Sequence, residues 1–132
     1  MPAPRPYRTL SPYLAVPEAE AVAAFAREVF DAETVAGPVY AEDDGRLLHL
    51  ALRIGDSVVL LGCPPDPQQR MTAMLHLYVE DCTASFLRAI AAGGREMMAP
   101  ADQFYGDRAA GIYDMAGNLW WIAQRLPEAA EA

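Results

Sequence analysis

The feature that most constrains this chain is that one order of elements is read twice along it. Leu14-Ala15-Val16 followed by a helical pattern corresponds to Leu77-Tyr78-Val79 followed by another, an offset of 63 residues. In the first copy, Leu10 to Val16 is a short aliphatic strand that stops at Pro17. Glu18 to Asp31 carries Val22, Phe25, Ala26, Val29 and Phe30 at helical spacing, and a proline just ahead suits the start of a helix. Glu33 to Tyr40, Leu47 to Ile54 and Ser57 to Leu61 read as strands, and Gly55-Asp56 between the last two is a two-residue hairpin signal.

The stretch Cys63-Pro64-Pro65-Asp66-Pro67-Gln68-Gln69 breaks the pattern, and the order then repeats. Met74 to Val79 is a strand, and Asp81 caps a helix from Cys82 to Ala92 that Gly93-Gly94 stops, with Phe86, Leu87, Ile90 and Ala91 on one face. Glu96 to Met98 is a short strand, a loop holds Tyr105-Gly106-Asp107-Arg108, and Gly111 to Asp114 and Leu119 to Gln124 complete the copy. The reading is an α+β chain of two tandem β-α-β-β-β modules in a single domain over 1–132. Module one spans about 8–62, a linker 63–70, and module two about 71–126.

Composition narrows the function classes. Hydrophobic residues at 53% and charged residues at 21% leave enough apolar material for a core, so disorder is not expected. No apolar run approaches the roughly 20 residues that span a bilayer, and the first six residues lack the apolar centre of a secretory signal. The net charge of −8 with no basic block argues against nucleic acid and anionic membrane as partners. All ten basic residues are arginine, which excludes lysine Schiff-base chemistry and the phosphate-loop lysine. Cys63 and Cys82 form no close-spaced pair, and two unpaired thiols fit a reducing cytoplasm.

Two such modules in one short chain resemble the vicinal oxygen chelate superfamily, which includes glyoxalases, extradiol dioxygenases and bleomycin-resistance proteins. Three stretches resemble its PhnB-like branch: Ser11 to Val16, His49 to Ser57, and Tyr105-Gly106-Asp107-Arg108 through Asp114-Met115-Ala116-Gly117-Asn118-Leu119-Trp120. That branch usually has proline where this chain has Met115. The resemblance covers about Tyr7 to Arg125 and implies curved mixed sheets around a cavity. It also implies a homodimer. It does not fix a chemistry, because this fold hosts many.

Metal-dependent members place four ligands on the first and last strands of the modules. The resemblance carries those positions onto Ser11, Leu60, Met74 and Trp121. Leucine and tryptophan do not coordinate, methionine is too soft for a hard cation, and one serine is weak. Neither a metal nor another cofactor is therefore expected.

Strand parity then assigns faces. Leu60 brings Val58 with it. Pairing across Gly55-Asp56 sets Arg53 opposite Val58, Ala51 opposite Leu60 and His49 opposite Gly62. Leu48, Leu50, Leu52, Ile54, Val59 and Leu61 fall on the helix side. Ser11 and Tyr13, then Met74, His76 and Tyr78, and Leu119, Trp121 and Ala123, fall on the cavity side. The expected ligand-binding set is Tyr13, His49, Arg53, Leu60, Met74, His76, Tyr78, Tyr105, Arg108 and Trp121. Asp107 and Arg108 are expected first to pair locally and order their loop, and Arg108 is also a candidate anion clamp at the cavity mouth. Trp120 and Trp121 are neighbours on one strand, so one belongs to the core and the other to the cavity.

Each candidate also has a plain structural use. His49 and His76 can be satisfied structural histidines or, together, ligands of an altered metal site, and the methionines can be simple gap filling. Two functions from different classes remain, besides a domain with no useful cavity. One is metal-independent binding or sequestration of a hydrophobic or aromatic small molecule, resembling that of bleomycin-resistance proteins. The other is a metal-independent isomerase, cyclase or epimerase using His49 or His76 as base and Tyr13 or Tyr78 as donor. The absence of a Gly-x-Ser-x-Gly turn or a Cys–His pairing favours the non-catalytic binder.

Overall fold

The computed structural model describes residues 3–127 of the chain. The chain divides into two compact units, Met1–Ala73 and Met74–Ala132. Each described unit carries one helix and one four-stranded mixed sheet, an α+β architecture.

The first unit runs β1 (Tyr13–Ala15), α1 (Ala19–Phe30), β2 (Glu33–Tyr40), β3 (Leu47–Ile54) and β4 (Ser57–Gly62). Its strands lie in the order β1-β4-β3-β2, with β1 parallel to β4 and the other pairs antiparallel. The second unit repeats this with β5 (Met74–Tyr78), α2 (Cys82–Ala91), β6 (Arg95–Asp102), β7 (Asp107–Tyr113) and β8 (Leu119–Arg125), in the order β5-β8-β7-β6. The repeated order in the sequence is thus a repeated topology.

Local chemistry sets the boundaries. The α1 helix stops at Asp31, which takes the left-handed conformation at φ 55° and returns its N–H to the Ala26 carbonyl. The Asp81 carboxylate accepts from the Ala84 N–H at 3.1 Å and caps α2, as its position in the sequence predicts. Gly55, at φ 58°, takes the positive-φ position in the two-residue turn that sets Ile54 opposite Ser57.

Register fixes the faces. In the first sheet Leu14, Leu61 and Leu50 form one row and Val59 and Leu52 the next, all buried on the side covered by α1. From that helix Val22, Phe25, Ala26 and Val29 are buried in turn, as the helical spacing predicts. In the second sheet Leu75, Trp120 and Ile112 form one row and Leu77, Ile122 and Ala110 the next, on the face that meets α2.

Several expectations need correction. The first strand is only Tyr13–Ala15, and Leu10 is exposed. Leu47 is buried and Leu48 exposed, the reverse of strict alternation, because irregular pairing between β2 and β3 shifts the register near His49. The β3–β4 ladder pairs Arg53 with Val58 and Ala51 with Leu60 as expected, and its last pair is Leu50 with Leu61 rather than His49 with Gly62. Beyond that pair Cys63 donates its backbone N–H to Leu47.

Strand β6 extends to eight residues where three were expected. Two register shifts break its alternation, and Pro100 is tolerated because β6 is an edge strand. Strand β7 already begins at Asp107, so Asp107 and Arg108 are strand residues rather than loop. The buried face of α2 is Cys82, Ser85, Phe86 and Ala89, and Leu87 and Ile90 point to solvent. Among the described residues no helix is long and apolar enough to cross a membrane.

Candidate functional site

The faces turned away from the helices hold most of the expected site residues. In the first unit β1 and β4 set Tyr13 beside Leu60, and β3 adds Ala51 to the same row. In the second unit the equivalent row is His76, Trp121 and Gly111. Duplication thus places a Tyr13–Leu60 pair in one sheet and a His76–Trp121 pair in the other.

In the first unit His49 is half-buried in a row with Val39, and its Nε2 lies 2.6 Å from the Tyr7 hydroxyl. The two rings stand 5.8 Å apart. Tyr7 lies in the proline-rich N-terminal segment that the module boundaries leave out, and that segment gives no periodic signal to locate it. The Tyr13 hydroxyl donates to the Leu48 carbonyl at 3.4 Å, and burial, with Cys63 nearby, pushes its phenol above the ordinary value. A side chain at Gly62 would collide with that hydroxyl and that carbonyl, so glycine is what lets Tyr13 lie down there. Arg53 shares the face, but Glu33 across the strand pair takes its guanidinium at 2.5 Å. Among the described residues the buried Ser11 hydroxyl meets no hydrogen-bond partner.

In the second unit Met74, His76 and Tyr78 alternate along β5 on the open face. The rings of His76 and Tyr78 meet edge to face at 5.2 Å. Trp121 is half-buried, and one of its six-ring carbons would stand 3.5 Å from a Cβ on Gly111. The group that a side chain at Gly111 would displace is Met97, whose Cε would stand 2.5 Å from that Cβ, so the missing side chain makes room for Met97 beside the Trp121 ring. Trp120 faces the opposite way and is 2% exposed, with its indole N–H bonded to the Asp114 carboxylate at 2.8 Å. The same carboxylate accepts from the Asn118 side chain and from the backbone of Ala116 and Asn118. The tight turn Asp114 to Asn118 is thus the anchor of the core tryptophan.

The open face of the second sheet ends in a polar network. The Tyr78 hydroxyl donates to Asp107 Oδ2 at 2.8 Å, and Arg125 donates to Asp107 Oδ1 at 3.1 Å. Arg125 also holds the Tyr105 carbonyl at 2.8 Å, which ties the β6–β7 turn to the cluster. Asp107 is 1% exposed. Burial works to raise its pKa, but the Tyr78 hydroxyl and the Arg125 guanidinium, with a smaller contribution from His76, hold the carboxyl below the usual carboxylate value. The Tyr78 phenol is raised in turn, first by its bond to Asp107 and then by desolvation.

Asp107 and Arg125 are functional candidates that sequence reasoning missed. The signal was present as register: Ala109 faces Ala123, so two residues further out Asp107 must face Arg125. Arg108 goes elsewhere. It faces Gln124 on the helix side of the sheet and pairs with Asp102 at 2.7 Å, so it does not close the open face. Gln124 on that side accepts from the first N–H of α2.

The donor set does not suit a metal. Leu60 and Trp121 occupy the centres of their rows, and neither offers a lone pair to a cation. Ser11 contributes one hydroxyl and Met74 a soft thioether. The Nε2 of His49 is engaged by Tyr7. Among the described residues no group of three or more His, Cys, Asp or Glu lies close enough to hold an ion.

Residues 9–122 match the family model of the Glyoxalase/Bleomycin resistance protein/Dioxygenase superfamily. The Uncharacterized protein Mb0911c of Mycobacterium bovis is 34% identical over 133 aligned residues, covering 90% of this chain and 84% of that protein. Among solved structures, TioX from Micromonospora sp. ML1 superposes with a TM-score of 0.68 at 20% identity, over 93% of this chain and 97% of that one. A PhnB protein from Bacillus cereus superposes with a TM-score of 0.67 at 16% identity, over 89% of this chain and 99% of that one. At such identities the structural likeness speaks for the fold alone.

Proposed function

The chain belongs to the glyoxalase/bleomycin resistance protein/dioxygenase superfamily, and from that premise we propose that it binds and sequesters a hydrophobic, aromatic small molecule without a metal. The observation that carries this reading is the row His76–Trp121–Gly111, with Tyr78 beside it, on the sheet face away from α2. Half-exposed aromatic rings on a rigid sheet give a flat ligand much contact area for little lost entropy. Trp121 at the centre of the second sheet's row suits an organic ring and not a hydrated ion.

A protective role of the bleomycin-resistance kind, acting in the cytoplasm as a homodimer, completes the proposal. One module has too few residues to cover its own sheet, and a two-fold pair of chains would cover it. Sedimentation at micromolar concentration should give twice 14.4 kDa, and a monomer would contradict the dimer.

The second reading, an isomerase, cyclase or epimerase, is favoured by the single fact that the His76 and Tyr78 rings stand together at 5.2 Å on the open face. Native mass spectrometry after incubation with a library of planar aromatic compounds tests the first reading. The chain should retain members of the library, and Trp121→Ala should lose them while its melting temperature stays close to that of the parent. Retention of every compound by Trp121→Ala would overturn it. Conversion of a retained compound to an isomer, abolished by His76→Phe, would favour the enzyme.

A further inference from the structure

The Tyr78–Asp107–Arg125 network decides which hydrogen bonds a molecule on the second sheet can make. Asp107 is ionised, because Arg125 and the Tyr78 hydroxyl both stabilise its charged form. An ionised carboxylate only accepts, so the hydrogen in the 2.8 Å contact belongs to Tyr78 and points at Asp107. That proton is then committed. What Tyr78, 61% exposed, presents to its surroundings is a phenol oxygen with free lone pairs and no hydrogen. Donation to a carboxylate also places more negative charge on that oxygen, because hydrogen bonds in series polarise one another. An ordinary exposed tyrosine rotates its hydroxyl to suit either partner; this one is fixed as an acceptor.

We propose that Tyr78 is a specificity-determining acceptor, selecting aromatic molecules that carry an N–H or O–H donor, such as a carboxamide, an amine or a phenol. The inference rests on the reading of the His76–Trp121 row as an aromatic platform. The ring of the ligand lies on Trp121, and its donor reaches the Tyr78 oxygen next to His76. Molecules with only acceptors at that place, such as carboxylates, esters or tertiary amides, meet an oxygen lone pair, gain no hydrogen bond there and bind more weakly. The same geometry removes Tyr78 as a proton donor in any acid–base chemistry on this face.

Benzamide and N,N-dimethylbenzamide form a neutral probe pair that differs in the N–H donor, so the net charge of −8 does not bias the comparison. Both are titrated into the full chain and read by the side-chain resonances of Trp121 and His76. Benzamide should bind roughly threefold to tenfold tighter, the range that one neutral hydrogen bond supplies. Tyr78→Phe keeps the ring and removes the acceptor, and should bring the two affinities together. Asp107→Asn frees the hydroxyl to turn, and should narrow the difference in the same way. If Asp107→Asn does not fold, Tyr78→Phe alone decides. Equal binding of both probes at Trp121 in the parent, or a preference that survives Tyr78→Phe, overturns the acceptor role and leaves the platform standing. If neither probe moves the Trp121 resonance, the platform itself fails and the proposal with it.

Discussion

Replacing Trp120 by alanine should destabilise the protein far more than the same change one residue later. Trp120 is 2% exposed, packs with Leu75 and Ile112 in the row under α2, and bonds to Asp114 at 2.8 Å. Truncating a buried indole costs about 3–5 kcal/mol. Loss of its hydrogen bond falls within that range, because Asp114 keeps three other donors. For a chain of this length each kcal/mol moves Tm by roughly 3–5 °C, so Trp120→Ala should melt about 9–25 °C lower. Trp120→Phe separates the two contributions. It keeps most of the ring and leaves one bond to a charged acceptor unmade, worth about 1.5–3 kcal/mol. Trp121→Ala removes a half-buried ring on the open face and should cost about 1 kcal/mol. Differential scanning calorimetry of the three variants reads these values directly. If Trp121→Ala melts lower than Trp120→Ala, the assignment of β8 faces is inverted and the site residues on that strand fall with it.

Stability should also depend on the ionisation of Asp107. Its folded pKa lies below the ordinary 3.8, so the stabilisation is full above that value and is lost as pH falls through the folded value. The stability gap between the parent and Asp107→Asn, measured by urea unfolding, should therefore be constant above about pH 5 and shrink below about pH 4. A gap that widens on acidification would contradict the ionised state on which the Tyr78 argument depends. Ser11→Ala removes a buried hydroxyl that meets no partner among the described residues, and should raise stability by about 1 kcal/mol. A clear drop in Tm would show that the hydroxyl is in use. Elemental analysis of the purified chain should find no stoichiometric zinc, nickel, iron or manganese, and one equivalent of any of them would refute the reading of Leu60 and Trp121.

The topology was legible because it depends on features that repeat: two helices with clear apolar spacing, a Gly-Asp hairpin, and turns at Asp81 and Asp114. Strand parity carried Tyr13, Leu60, His76 and Trp121 to the right faces because a ladder without bulges preserves period two. It failed at Leu48, where irregular pairing beside His49 shifts the register, and in β6, where two shifts hide five of the eight residues. The face of α2 was misread because Leu87 and Ile90 are apolar yet exposed, while Ser85 is buried. Asp107 and Arg125 were hidden for a different reason. Each is an ordinary charged residue in sequence, and only the pairing of β7 with β8 sets the more exposed Arg125 against the buried Asp107 carboxylate. Arg108 was misplaced by the same strand, since taking it as loop discards the alternation that turns it toward α2.

The most direct test of the account is a two-dimensional proton–nitrogen spectrum of the indole N–H signals, followed while benzamide is added to the full chain. The two tryptophans give two signals, assigned by Trp120→Phe and Trp121→Phe. Binding on the open face of the second sheet should move the Trp121 signal progressively to saturation and leave the Trp120 signal, held by Asp114, where it was. Movement of the Trp120 signal with Trp121 unchanged, or no movement of Trp121 at saturating benzamide, would contradict the site.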